Sequence, residues 1–543
     1  MNTNQILDYV KKHPSQKVKL AITDVDGILR GKYVSLDKFL SIEKTDKVKI
    51  DLAMIWKMQA AYGLAHQGEN LGYKIKVLSD TVNKYPMQYF PAITADGQEL
   101  IFTVRYGRAH NDNEDIFVSH QKNGQWTEPV SLSEHINTEY REGACSISAD
   151  GRHLIFTICG PRGCDLFESK KEGEVWRKPV NLGSGVNSSG WEAQPSLSAD
   201  GNELYFVSDR KGGMGGYDIW YSKKDSTGAW ARAINLGKPV NTKFDEIAPF
   251  IHVNNRNLFF ASNGLPGFGG FDIYAAEKNA GAWQEPKNMG SPLNDFEDQY
   301  SFVVTSDGLN AFYSREEGRT KSKIYQTNIP REFQVRSRGN VVKGVVTDSK
   351  TKLALQASVE LFDLKTNQKI SVFNSDSVNG QYLIIVPGKS EYAFHVAEPG
   401  YLFYSLHFNY EEKDQDQPLT IDIALQPIVK NAMTVMNNIF FDFNQSEIKP
   451  RSLSELDEVV KFLKENPKIK VEISGHTDNV GNENYNQQLS LKRAQSVVNY
   501  FASKGIDVAR LAQKGFGSKK PIKPNDSEDN RQVNRRIEFK VLE

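Results

Sequence analysis

Near the C-terminus, Gly475-His476-Thr477-Asp478 is followed by Asn486-Gln487-Gln488-Leu489-Ser490, then Arg493-Ala494, and finally Asn534-Arg535-Arg536. An acid and strongly basic positions in this order suit recognition. A carboxylate accepts from an ammonium group, and a guanidinium forks onto a carboxylate through two parallel hydrogen bonds. Asp478 and Arg493 held side by side would therefore match a zwitterion. The competing use is internal, with Asp478 capping a helix or pairing with Arg493, since surface ion pairs are common and weak.

The surrounding pattern supplies the elements that position these groups. Val471-Glu472-Ile473-Ser474 reads as a buried strand. Leu489 to Phe501 has a helical period, with Leu491, Ala494, Val497, Val498 and Phe501 on one face. Asp478 then falls just past a strand end and Arg493 on the next helix, and such loops concentrate ligand groups. Ile439-Phe440-Phe441-Asp442-Phe443-Asn444 reads as an opening strand and Asn534-Arg535-Arg536 as the start of a closing one.

This ordered set, over residues 437–543, resembles the OmpA C-terminal-like family of peptidoglycan-binding domains. The resemblance implies an α/β domain in which Asp478 and Arg493 bind the diaminopimelate side chain of a stem peptide. It places Asn486 and Arg535 at two further ligand-contacting positions. No cofactor and no metal is implied.

Composition bounds the rest. The chain has 543 residues, 39% of them hydrophobic, enough for several packed domains. Lys+Arg and Asp+Glu both total 67, so no basic field exists to hold nucleic acid. No apolar run is long enough for a transmembrane helix, and the first residues lack the apolar core of a signal peptide. The three cysteines are Cys145, Cys159 and Cys164. Cys159 and Cys164 flank a tight loop between strand-like runs. A disulfide there, in an oxidising compartment, is favoured over two free thiols, and zinc is disfavoured for want of a second ligand pair.

Residues 71–330 repeat with a period of about 50. Asp-Gly turns stand at Asp96, Asp150, Asp200 and Asp307, with Asn254-Asn255 in the missing slot, and Trp recurs at 126, 176, 230 and 283. Each unit offers four short strands and a hairpin turn, so five units predict a five-bladed β-propeller. The orphan copy at Leu71 to Asn83 is expected to supply the fifth blade's missing outer strand. The turn aspartates are read as turn caps rather than metal ligands. Phrases such as Ser198-Ala199-Asp200-Gly201-Asn202-Glu203-Leu204-Tyr205-Phe206 resemble TolB-type, WD-like propellers, which implies a platform for protein partners.

Residues 338–427 alternate apolar and polar and predict a small β-sandwich. Their turns resemble the carboxypeptidase regulatory-like fold, whose expected role here is a spacer. Propeller, sandwich and OmpA-like domain in this order resemble the PorE-like envelope proteins of the type IX secretion system. That resemblance implies a non-catalytic protein of the periplasm or outer membrane, facing the periplasm and gripping peptidoglycan. The alternative is a general outer-membrane-to-wall tether unrelated to secretion. Residues 49–70 are expected to hold a helix leading into the propeller. Residues 1–48 read as a short β-grasp-like fragment, a fusion remnant or an inert cap. Within it, residues 18–42 resemble a glutamine synthetase N-terminal segment, and Asp24-Val25-Asp26-Gly27 a phosphatase start. The later motifs of both enzymes are missing, so no catalysis is expected from Asp24, Asp26 and Lys32.

Overall fold

The computed structural model describes residues 17–23, 29–35, 71–106, 113–295, 297–317, 321–335, 339–388, 390–409 and 418–543. They fall into two units, Met1–Gly339 and Asn340–Glu543. Both are mainly β. Asp24, Asp26 and the helix expected in 49–70 lie outside the described residues. Near the N-terminus the backbone of one antiparallel hairpin is described, Lys17–Thr23 against Leu29–Ser35.

In the first unit the repeat builds antiparallel meanders. One copy runs Glu192–Leu197, Glu203–Ser208, Asp218–Lys223, Ile234–Asn235, each strand paired to the next. The corresponding first strands of the other copies are Met87–Ile93, Arg141–Ile147, Glu246–Ile251 and Gln299–Val304. Left-handed residues make the turns into the second strands: Gly97, Gly151, Gly201, Asn255 and Gly308 all have positive φ. The aspartates beside them are spent on the turn, as where Asp200 accepts from the Asn202 N–H at 3.2 Å and Asp307 from the Leu309 N–H at 2.9 Å.

Consecutive copies share apolar clusters, such as Ile155 and Leu166 with Leu204 and Phe206, or Tyr205 and Ile219 with Phe260 and Tyr274. The fifth copy packs on the first through Val303, Phe312 and Ile324 against Leu100 and Phe102. The orphan segment joins there: Lys76–Val77 pairs antiparallel with Ser322–Asn328, with Val77 opposite Tyr325. Cys159 and Cys164 are disulfide-bonded across facing positions of one hairpin, and Cys145 is a buried free thiol.

An asparagine recurs with the copies, buried in four of them and half-buried at Asn137. Asn137, Asn187, Asn241, Asn294 and Asn83 each accept from the N–H and donate to the C=O of one third-strand residue, at 2.8–3.0 Å. Those residues are Ile116, Leu166, Ile219, Ile273 and Ile324 respectively. Each asparagine supplies the acceptor for a third-strand N–H and shares the paired C=O with the backbone N–H that follows the outer strand, as where Leu182 donates to Leu166 at 3.1 Å.

The second unit begins with two four-stranded sheets. Gly339–Asp348 lies centrally in one, and Ser358–Asp363 pairs with Glu391–Ala397 in the other. Val342, Val346, Leu361, Ile384 and Phe394 share the core between them. The final segment is a four-stranded sheet with three helices. Its elements are β1 (Met433–Met436), α1 (Leu453–Glu465), β2 (Val471–Gly475), α2 (Glu483–Ser503), β3 (Leu511–Gly515), α3 (Glu528–Asn534) and β4 (Ile537–Val541). The sheet order is β1-β4-β2-β3, with β2 and β3 parallel. Ile439–Asn444 is therefore not the opening strand, a place taken by β1. Its backbone makes one bridge, Phe441 to Ile448, because Phe440 and Phe441 pack into separate clusters and Phe443 points to solvent.

Glu455 of α1 is fully buried and accepts from Ser405 Oγ at 2.7 Å and Asn438 Nδ2 at 2.9 Å, with His395 Nε2 at 3.2 Å. Burial pushes its pKa up to about 7 and that of His395 down to about 4.

Two predictions follow from this packing. Asn83→Ala leaves the buried Ile324 N–H without its acceptor, and should cost about 1–3 kcal/mol in denaturant unfolding of the first unit. For Glu455, the raised pKa means that the folded state keeps a proton the unfolded state releases. Its contribution is full below the ordinary carboxylate pKa and lost as pH rises towards about 7. Glu455→Gln mimics the protonated acid, and should gain about 2–3 kcal/mol on the unsubstituted chain between about pH 5 and about pH 8.

Candidate ligand-binding cleft

Strand β2 ends at Gly475, where helix α2 crosses close behind. A Cβ on Gly475 would overlap the Ser490 carbonyl oxygen, and one on Gly515 would sit 2.6 Å from the Leu491 nitrogen. These glycines are required by close approach of strand and helix. The next residue, His476, is buried, stacked on Phe516 at 5.1 Å between centroids, with Nε2 3.1 Å from Glu538 Oε2. Against the burial penalty, His476 and Arg536 hold the Glu538 carboxyl down at about 2. This buried pair fixes the turn that presents Asp478.

Helix α2 starts at the Asn482 cap, whose side chain accepts from the Asn484 and Tyr485 N–H groups. Its buried stripe comprises Asn486, Leu489, Ser490, Arg493, Ala494, Val497, Val498 and Phe501. The helix is thus a turn and a half longer at its start than its apolar pattern suggests. Leu491, expected inside, is 44% exposed. The helical period puts 490 and 493 on the stripe instead, with polar residues there.

The four residues singled out in the sequence line one cleft of about 620 Å³, with Asp442, Phe443, Tyr485, Arg451 and Glu528 among the other walls. Asn486 donates to the Val480 carbonyl at 3.0 Å and braces the loop after Asp478. Asp478 and Arg493 are not paired with each other. Asp478 accepts from the Val480 N–H at 3.0 Å and from Arg535 Nη1 at 2.6 Å. Arg535 also reaches Glu528 at 2.7 Å, and these two acids raise its pKa against the burial penalty. Asn534, placed on a closing strand by the sequence, ends α3, so Arg535 lies just before β4.

Arg493 is different. Only 8% of it is exposed, and Nε and Nη2 donate to the backbone carbonyls of Gln445 (2.9 Å) and Asp442 (3.3 Å). Its guanidinium lies 4.8 Å from the Phe441 ring centroid. Among the described residues no carboxylate pairs with it. Burial, then the nearby Arg535 cation, lower its pKa. Carbonyls and a ring orient this cation but do not neutralise it, so the cleft favours an anionic group there. Sequence reading missed the rim carbonyls, because backbone groups leave no signature in side-chain types. Arg451 and Glu528 could have been found only as charges flanking the motif.

Residues 440–535 match the OmpA family. The C-terminal segment is an OmpA-family domain. Over 24% of its length the chain is 32% identical to outer membrane porin F of Pseudomonas aeruginosa, covering 38% of that protein. Over 22% it is 37% identical to outer membrane protein A of Bordetella avium, covering 66% of it. Among solved structures, the peptidoglycan-associated lipoprotein of Burkholderia pseudomallei is 27% identical over 19% of this chain and 88% of its own, with a TM-score of 0.19. The chain spans from 16% to 66% of the curated relatives named here and of the first one matched.

The close strand–helix contact gives a direct test. Gly475→Ala must push α2 away from β2 and should destabilise the OmpA-family domain by about 1–3 kcal/mol, read by thermal unfolding of the full chain.

Proposed function

We propose that this chain is a non-catalytic cell-envelope protein that grips the diaminopimelate side chain of peptidoglycan stem peptides. The observation that carries the reading is Arg493, a buried cation that no carboxylate among the described residues pairs with, sharing one cleft with Asp478. The ligand's carboxylate would supply the missing counter-charge, and its ammonium would join Arg535 on Asp478. Asn486 and Arg535 hold the loop and the acid in place. The similarity to proteins named for the outer membrane supports a periplasmic or outer-membrane location, facing the periplasm. No helix among the described residues is long and apolar enough to cross a membrane.

We further read residues 71–330 as a five-bladed β-propeller that offers protein partners a platform. Five repeated meanders, their shared clusters and the pairing of Lys76–Val77 with Ser322–Asn328 support this. Residues 338–427 are read as a carboxypeptidase regulatory-like sandwich. The order of the three parts supports a PorE-like role in type IX secretion. A general tether between outer membrane and wall needs only the C-terminal cleft.

Sedimentation with isolated sacculi tests the ligand. Each charge-assisted contact is worth about 1.5–3 kcal/mol, so Asp478→Ala and Arg493→Ala should each weaken binding at least about tenfold. Folded variants that sediment as the unsubstituted chain does would refute the reading.

A further inference from the structure

We propose that the two sheets preceding the OmpA-family domain are a working part of its cleft, with Phe440, Arg451 and Glu391 as positioning residues for Arg493. The inference rests on the ligand reading above. It starts from what aims Arg493, namely the carbonyls of Asp442 and Gln445. Both lie on a rim segment whose only ladder contact is the bridge from Phe441 to Ile448. A segment so thinly paired needs another anchor to hold two acceptors on one guanidinium.

That anchor comes from the neighbouring sheet. Phe441 packs into the C-terminal core, while Phe440 packs on Phe362, Leu364 and Ala393. Arg451 lies over the Phe440 ring, 3.8 Å from its centroid, and its Nη1 donates to Glu391 at 3.0 Å. Glu391 stands at the start of the strand Glu391–Ala397, and His407, on the next strand, meets the Phe440 ring edge-on at 5.7 Å. The Phe440 N–H donates to Ser452 Oγ at 2.8 Å. The rim is thus clamped from the sheet side through Glu391, Arg451 and Phe440, and holds Arg493 from the cleft side. A site whose polar groups are already ordered binds more tightly than one the ligand must order. Glu391 does not line the cleft, so loosening the clamp there removes no cleft wall but frees the carbonyls, and affinity falls. The sheets are then more than the spacer their turn motifs suggest.

The test uses the full chain and a diaminopimelate-containing muropeptide, with binding read by calorimetry. Glu391→Gln and Phe440→Ala should each raise Kd about three- to tenfold through lost preorganisation, and Phe440→Tyr, which keeps the ring, should restore it. In both weakened variants the Arg493 Nε–H should exchange with water faster by nitrogen-15 NMR, a change that a purely structural role leaves untouched. Should Phe440→Ala fail to fold, Glu391→Gln, a same-size change at a partly exposed ion pair, decides alone. Unaltered affinity and unaltered Arg493 exchange in Glu391→Gln overturn this inference but leave the ligand reading standing. A folded, unsubstituted chain that does not bind the muropeptide overturns both.

Discussion

Arg493 is a guanidinium taken out of water that, among the described residues, is paired with no carboxylate. Much of the C-terminal architecture exists to make that arrangement tolerable. Two carbonyls take its N–H groups, and Phe441 offers a ring face. The helix carrying it packs so tightly on the sheet that Gly475 and Gly515 leave no room for a side chain. Asp478 is kept from collapsing onto Arg493 because Arg535 holds it from the other side. Separating the acid from the base leaves the cation unneutralised and the cleft open, which an internal Asp478–Arg493 pair would not.

The first unit depends on a different constraint, the satisfaction of backbone groups at the outer strands. Outer strands there are short, mostly two residues, so each third strand is laddered to the second strand but has most of its outer edge unpaired. The recurring asparagine meets that need by mimicking a peptide unit, with one donor and one acceptor on the same side chain. Asn83 does so for Ile324 across 241 residues of chain, which ties the segment before the first copy to the last.

Much of this was legible in advance. Strand β2, the apolar face of α2 from Ala494 onward, the repeated meanders and the turn aspartates all follow from periodicity and turn chemistry, which are local properties. The recurring Val-Asn or Leu-Asn pairs, such as Val186-Asn187 and Leu293-Asn294, were equally available at the same spacing but carry no apolar signal. The first turns of α2 were hidden because Asn486, Ser490 and Arg493 sit where a hydrophobic pattern expects aliphatics. The rim at Ile439–Asn444 misled for the opposite reason: its aromatics look like a strand, yet they are divided between two cores.

By itself, then, the sequence determined which residue types meet in the cleft, because the motif's order and spacing specify a strand, a loop and a helix. It also determined the repeat and its turns, since left-handed positions admit few residues. Tertiary structure alone decided who pairs with whom. Asp478 finds Arg535, 57 residues away, rather than Arg493. Arg493 finds two backbone carbonyls, and Arg451 finds a carboxylate on another sheet. Pairing among charges depends on distances between segments far apart in the chain, and those distances are set by packing, which no local pattern records.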